Sequence, residues 1–312
     1  MGNRTETLLA AVAAIVLLTA LSTVSMAGSV DTDGALTPEK LIAAHVQSIA
    51  ATDLLSSIQT RAFLGKTDVR FLQGMTGSVE GGVASLISAG DKMSIILKYN
   101  ALEYPQEYFS YDGDEVSVGY IAPGQRSPLA DFLFRFNGIM KKGFLGGTLS
   151  MAWPLLDMQG DEVALKYQQS KVEGRDLHQL EWPISILGNV RIRMYFEPET
   201  YRHVRTEYDV RITDDVSGIG EGSYLGEMGS AAEDSTGWSS LMGKDIVPDS
   251  VYKLVEKFDN FKKVSGMVLP HKYALEYSRS GQESSYVANW TVTVRQFTFN
   301  KAYDDKIFKA QK

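Results

Sequence analysis

Cysteine is absent from the sequence, which excludes a disulfide framework, a zinc-thiolate site, an iron–sulfur cluster, sulfur redox chemistry and an acylated cysteine near the amino terminus. A basic excess is absent too. Lys and Arg total 31 against 38 Asp and Glu, a formal charge of −7, and no Lys/Arg block occurs. A nucleic-acid partner needs a cationic face that displaces counterions from phosphates, so DNA and RNA are discounted as partners. Histidine is scarce: His45, His178, His203 and His271 stand singly, none with a second ligand at i+2 to i+4 as zinc sites on one element have. No metal and no cofactor is expected.

Motifs for chemistry fail on inspection. Gly65-Lys66-Thr67 ends like a phosphate-binding loop, but Thr60 stands where its first glycine belongs. Gly218, Gly220 and Gly222 lack the last glycine of a dinucleotide loop, because Ser223 occupies it. The acid pairs Asp161-Glu162, Asp214-Asp215 and Asp304-Asp305 are adjacent, so an extended chain sends their side chains to opposite faces and they read as solvated turns. No G-x-S-x-G elbow is present, which leaves a hydrolase only with a triad assembled from distant segments. No enzyme signature is found. Asn289-Trp290-Thr291 is a glycosylation sequon that matters only in a eukaryotic secretory pathway.

The first thirty residues are distinct. Arg4 lies in a short polar start, Leu8 to Leu21 is apolar, and Ser25-Met26-Ala27 offers small residues to a signal peptidase. Residues 1–27 are expected to be a cleaved secretory signal peptide. The competing reading is an uncleaved anchor, because Thr7 to Val30 carries no charge and a bilayer needs about 20 apolar residues. Myristoylation at Gly2 is set aside, since its motif wants Ser or Thr where Glu6 stands. No later run is long enough to span a bilayer, so residues 28–312 are expected as a single soluble domain outside the cytoplasm, in the periplasm.

Hydrophobic residues make up 44% of the chain, enough to bury a core. Thr37-Pro38-Glu39 opens a helix as N-cap, first-turn proline and first-turn acid, and a second short helix covers 53–57. Strand periodicity then takes over. Met93, Ile95, Leu97 and Tyr99 alternate with polar neighbours. Asp112-Gly113 is a type I′ hairpin signal, followed by Val116, Val118 and Tyr120 on the returning strand. Segments 163–172 and 177–182 flank a turn at Gly174–Asp176. Val190, Ile192, Met194 and Phe196 alternate before a turn at 197–200, and 201–212, 253–263, 269–278 and 284–299 complete about nine or ten antiparallel strands, enough for a sheet to curl.

Two segments break this rhythm: 127–153, and the Gly/Ser-rich stretch 213–248. In the first, Leu129, Phe132, Leu133, Phe136, Ile139 and Met140 recur at helical spacing. This predicts one amphipathic helix, either plugging a barrel end as core or serving as a lid over an apolar cavity. The residues expected to line that interior are Met93, Ile95, Leu97, Tyr99, Val116, Val118, Tyr120, Ile192, Met194, Phe196, Trp290 and Val292, with Phe132, Leu133 and Phe136 from the lid. Whether the interior is filled or hollow is open at this stage. If hollow, about 0.8 kcal/mol per buried CH₂ makes a fatty chain a good ligand. Met93, Met140, Met151 and Met194 fit an adaptable lining and an ordinary core alike.

The order of elements resembles the periplasmic lipoprotein carriers, the LolA/LolB-like superfamily that also includes mycobacterial lipid-carrying lipoproteins. The resemblance runs from Leu36 to Phe308 as a succession of blocks: Leu36–Gly65; Tyr111-Asp112-Gly113 with Tyr120–Gly124; Ser127-Pro128-Leu129 with Asp131-Phe132-Leu133; Tyr195–Tyr201; Phe258–Gly266 with Leu269–Lys272; and Phe299-Asn300 with Asp304-Asp305 and Phe308. It implies a mainly β fold with some α, an unclosed antiparallel β-barrel with a helical lid over an apolar cavity. It further implies a monomeric carrier that takes up acyl chains of a lipid or lipoprotein and hands them over without chemistry. Its partners would be an inner-membrane releasing complex and an outer-membrane acceptor. Arg61 and Arg70 are the arginines near the early strands that such a carrier could use. The chain departs from the pattern in its length, in the insertion at 213–248 and in lacking a cysteine to acylate. The alternative is a structural or envelope-stress-sensing β-domain with a packed interior.

Overall fold

The computed structural model describes residues 36–158, 163–183, 189–212, 250–281 and 285–310; the expected signal segment 1–27 and the stretch 213–248 lie outside the described residues. Helix α1 (Pro38–Ile49) begins as the sequence predicts, with the Thr37 hydroxyl accepting from Lys40 N at 3.4 Å and Pro38 in the first turn. Its buried stripe is Leu41, Ile42, His45 and Ile49. Helix α2 (Thr52–Ser57) follows.

Twelve strands occur among the described residues: β1 (Thr60–Gln73), β2 (Gly77–Ala89), β3 (Lys92–Lys98), β4 (Gln106–Tyr111), β5 (Val116–Val118), β6 (Lys166–Val172), β7 (Arg175–Trp182), β8 (Val190–Phe196), β9 (His203–Ile212), β10 (Ser250–Val264), β11 (Met267–Ser280) and β12 (Ser285–Phe299). The strand periods picked out from the sequence begin at Lys92, so both β1 and β2 are additional; β2, rich in Gly, Ser and Ala, carries too few large side chains to show a period of two. Strand β1 does alternate, burying Thr67, Val69 and Phe71 while Lys66, Asp68 and Arg70 face solvent. Two turns also differ from expectation. Tyr111 pairs with Val116, so Asp112-Gly113 belongs to a longer loop in which Asp112 Oδ1 accepts from the N–H groups of Asp114 and Glu115 at 3.0 and 2.7 Å. Two-residue hairpins lie instead at places that include Glu173-Gly174, with φ of 51° and 82°, and Ser265-Gly266, with φ of 49° and 87°, all in the left-handed region that a type I′ turn requires.

All neighbours pair antiparallel, in the order β5-β4-β3-β2-β1-β12-β11-β10-β9-β8-β7-β6. Two meanders are joined where β1 pairs with β12. The edges are β5 and β6, consecutive in sequence yet at opposite ends of the sheet. The barrel is therefore unclosed, and the connection between them has to cross the sheet's whole width.

That connection contains α3 (Pro128–Arg135), α4 (Gly138–Lys141) and 3₁₀ turns at Gly147–Leu149 and Pro154–Leu156. The single helix expected over 129–140 is thus broken, at Phe136 (φ −102°, ψ 47°) and Asn137. Ser127 caps α3 by accepting from Ala130 N at 2.9 Å.

The connection also shows that the sheet curls. Strands β3 and β10 are five places apart in the sheet, about 24 Å if it were flat. A Cβ on Gly146 would meet Leu86 of β2 at 3.0 Å and Met93 of β3 at 3.9 Å, whereas one on the next residue, Gly147, would meet Phe258 of β10 at 2.8 Å and His203 of β9 at 2.9 Å. Two adjacent residues span the gap. Both have positive φ, 85° and 47°, and both are glycine because the space is occupied on each side.

Candidate functional site

The inner face of this curled sheet gathers most residues picked out from the sequence pattern. Met93, Ile95, Leu97, Tyr99, Val118, Ile192, Met194, Phe196, Trp290 and Val292 are buried in one apolar cluster with Phe132 and Leu133 of α3. Val116 and Phe136 are half-buried against it. Tyr120 stands apart, half-exposed, with the Arg126 guanidinium 5.7 Å from its ring centroid. Side chains from the crossing connection, among them Ile139, Met140, Phe144, Leu145, Leu149 and Trp153, are also buried in the cluster. In this structure the connection therefore lies on the inner face as a cover.

The cover is held by a small set of polar grips that the apolar pattern does not reveal. At its start, Ser127 Oγ donates to Glu107 Oε2 at 2.7 Å. Glu107 also accepts from the Tyr104 hydroxyl, which in turn accepts from Trp290 Nε1 at 3.0 Å. In the middle, Glu256 Oε1 accepts from Gly146 N at 2.8 Å and from Tyr273 Oη at 2.6 Å. Arg61 Nη1 donates to Thr148 O at 2.6 Å, and Met151 N donates to Ser88 Oγ at 2.9 Å. At its end, Trp153 Nε1 donates to His45 Nε2 at 3.2 Å, and the Trp153 ring stacks on His203 at 4.7 Å.

These grips use ionisable groups withdrawn from water. Burial pushes the carboxyls of Glu107 and Glu256 up to about 7, against the donors that favour their charged forms. For Glu256 the hydrogen-bond geometry points the same way. Tyr208 Oη lies 2.6 Å from Glu256 Oε2 and 3.0 Å from Phe144 O, and one hydroxyl hydrogen serves only one of them. A protonated Glu256 resolves this: it donates to Tyr208, and Tyr208 donates to Phe144 of the cover. Burial likewise pushes His45 down to about 4. Its neutral ring donates from Nδ1 to Tyr201 O at 3.0 Å and accepts from Trp153 on Nε2. His203 is pushed down by burial and by His45 beside it.

Arg61 is the exception among these groups, since no carboxylate among the described residues answers its charge. It is 0% exposed, and burial brings it down to about 10, still cationic at neutral pH. Besides Thr148 O it touches the Met267 sulfur at 3.7 Å, and its Nε has no hydrogen-bond partner among the described residues. Arg70 is exposed on the other face of β1. Of the two arginines that the sequence offered, only Arg61 meets the cover.

Among the described residues no group of three or more His, Asp or Glu side chains is placed to hold a metal ion. No described helix is long and apolar enough to cross a membrane. Asp304 and Asp305 sit in a turn, Asp304 capping Lys306 N at 2.9 Å and Asp305 pairing with Lys92 at 3.0 Å, whereas Asp161-Glu162, Asp214-Asp215 and Gly218–Gly222 lie outside the described residues. Gly65-Lys66-Thr67 is part of β1, and a Cβ on Gly65 would meet Thr293 O of β12 at 2.5 Å; that glycine serves strand packing at a bulge.

Two of the grooves among the described residues stand out, and neither is lined by the residues expected to line the interior. One, about 380 Å³, lies by β6 and β7 around Lys171, Asp176 and His178. The other, about 320 Å³, lies between α1 and the end of the cover, with Ile42, Val46, Leu155, Leu156, Met158, Val163 and Leu165. In the second, apolar side chains reach solvent beside the cover.

The gripping residues were not legible beforehand. Glu107, Glu256, His45, His203 and Trp153 are single residues on five different elements, and nothing in the spacing of one sequence brings them together. Glu256 carries a faint signal, an acid flanked by Leu254, Val255 and Phe258 in a strand buried on both sides at that point.

No family model matches the sequence. No curated protein matches it either. Among solved structures the chain is similar to a LolA superfamily protein from Nitrosomonas europaea, at 12% identity and a TM-score of 0.42 over 88% of this chain and 98% of that one. It is similar to an outer membrane lipoprotein-sorting protein domain from Vibrio parahaemolyticus, at 11% identity and 0.37 over 82% and 92%. A DUF1329 family protein from Desulfovibrio piger gives 14% and 0.33 over 86% and 95%.

Proposed function

We propose that residues 28–312 form a single carrier domain that binds the acyl chains of a lipid or lipoprotein against the inner face of the sheet and releases them without making or breaking bonds. One observation carries this reading. The inner face is largely apolar from β3 to β8 and is covered mainly by one connection, with Leu41, Ile42 and His45 of α1 beside it, so moving that connection opens a trough without unpairing a strand. The residues in the apolar cluster, Met93, Ile95, Leu97, Tyr99, Ile192, Met194, Phe196, Trp290 and Val292, become the lining, and Phe132, Leu133 and Phe136 move with the lid. The groove beside α1 is where a chain would enter. Delivery by a cleaved signal 1–27 to the periplasm, loading by an inner-membrane complex and unloading to an outer-membrane acceptor belong to the same proposal.

The test is extraction of the purified protein followed by mass spectrometry, with titration of the emptied protein by a fluorescent fatty acid. Co-purifying lipid and a saturable site support the reading; a probe that finds no saturable site overturns it. The second reading, a β-domain with a packed interior that docks an envelope protein, is favoured by the burial of the nine lining side chains, from Met93 to Val292, at 0–5% exposure. It predicts the second outcome.

A further inference from the structure

A buried guanidinium without a carboxylate is costly, and Arg61 is placed where the proposed trough would make use of one. Its neighbour in the cover, Thr148, is 2% exposed, and Thr148 Oγ1, like Arg61 Nε, has no hydrogen-bond partner among the described residues. Two residues already joined by the bond from Arg61 Nη1 to Thr148 O thus hold an N–H and an O–H that could meet one acceptor. The carboxyl gripping the same turn, Glu256, does not supply it, because its oxygens are engaged by Gly146, Tyr208 and Tyr273. Arg61 lies on the same face of β1 as Phe63, Val69 and Phe71, toward the end of the sheet where Met267, Ile49 and Ile58 form a second apolar cluster.

We infer that the cargo is an anionic amphiphile whose head group, a carboxylate or a phosphate, seats at Arg61 and Thr148 while its hydrocarbon tail lies along the inner face. This rests on the carrier reading and adds the class of head group to it. When the cover shifts to admit a ligand, an anionic oxygen accepts a charge-assisted bond from Arg61 Nε and a second bond from the Thr148 hydroxyl, the two groups left over from the existing bond between these residues. A neutral head group of equal length gains only the tail's burial. Head-group charge therefore decides affinity among ligands with the same tail.

The experiment displaces a neutral fluorescent apolar probe from the full chain above neutral pH, with dodecanoate, dodecyl phosphate, dodecanol and dodecyltrimethylammonium, each below its critical micelle concentration. Dodecanoate or dodecyl phosphate should bind at least about tenfold more tightly than dodecanol, and which of the two binds better identifies the head group. Arg61→Gln should erase that preference and Arg61→Lys should retain it. Thr148→Val, which keeps shape and removes only the hydroxyl, should lower it about threefold and decides the matter if Arg61→Gln does not fold. Dodecanol binding as tightly as both anions overturns the inference and leaves acyl-chain binding standing. Failure of every dodecyl ligand to displace a bound probe, or of the probe to bind, overturns the carrier reading itself.

Discussion

Replacing Glu256 by glutamine should remove a defined part of the protein's pH dependence. The buried carboxyl is raised from 4.5 to about 7, so its contribution to stability is complete below the unfolded value and is lost as pH rises through about 7. The gap corresponds to about 3 kcal/mol per molecule. Glutamine is the shape of the protonated acid: its amide donates to Tyr208 as the acid proton does, and its oxygen accepts from Gly146 and Tyr273. Relative to the parent, Glu256→Gln should therefore gain up to about 3 kcal/mol as pH rises from the ordinary carboxylate range to above 7, with little change at acidic pH. Urea unfolding followed by tryptophan fluorescence at a series of pH values measures the difference, and Glu107, His45 and His203 cancel because both proteins contain them. Parallel curves for the two proteins would refute the assignment of a protonated Glu256 holding the cover.

Other positions give independent expectations. Gly143 has φ of 72°, and a Cβ there would lie 1.8 Å from Ala152 O; Gly143→Ala should loosen the cover while circular dichroism shows the sheet intact, and an unchanged near-ultraviolet spectrum would count against a tightly seated cover. Trp153→Phe removes the bond to His45 Nε2 and should cost about 1–3 kcal/mol in urea unfolding. His45, depressed to about 4, contributes stability that is present above the unfolded value of about 6.5 and is lost as pH falls through about 4; His45→Gln should flatten that acid limb in the same assay. Leu97→Ala, at a site 0% exposed, should cost about 2–5 kcal/mol and, on the proposed function, change affinity for a dodecyl chain.

The strands were legible where large apolar residues alternate with polar ones. Strand β8 runs over Val190–Phe196 as the alternation predicts, and β3, β10, β11 and β12 follow their patterns with shifts at the ends. Strand β2 was not, because Gly77, Gly81 and Gly82 offer no side chain to the period. The break in the covering helix was hidden for a different reason: the apolar stripe continues through Phe136 and Ile139, and a side-chain period does not report the backbone angles at Phe136 (φ −102°, ψ 47°) where the helix ends. Most interior residues could be chosen by period alone because alternate residues of a strand share one face, whereas Tyr120 could not, since β5 ends at Val118. The polar grips could not, since Glu107 meets Ser127 and Glu256 meets Gly146 only after the sheet curls and the chain crosses it.

Hydrogen–deuterium exchange with and without dodecanoate tests most directly whether acyl chains lie beneath the cover. The account predicts that amides of residues 139–151, including Gly146 and Met151, change protection on binding while the paired amides of β10, β11 and β12 do not. Saturating ligand that leaves protection across 139–151 unchanged would contradict it.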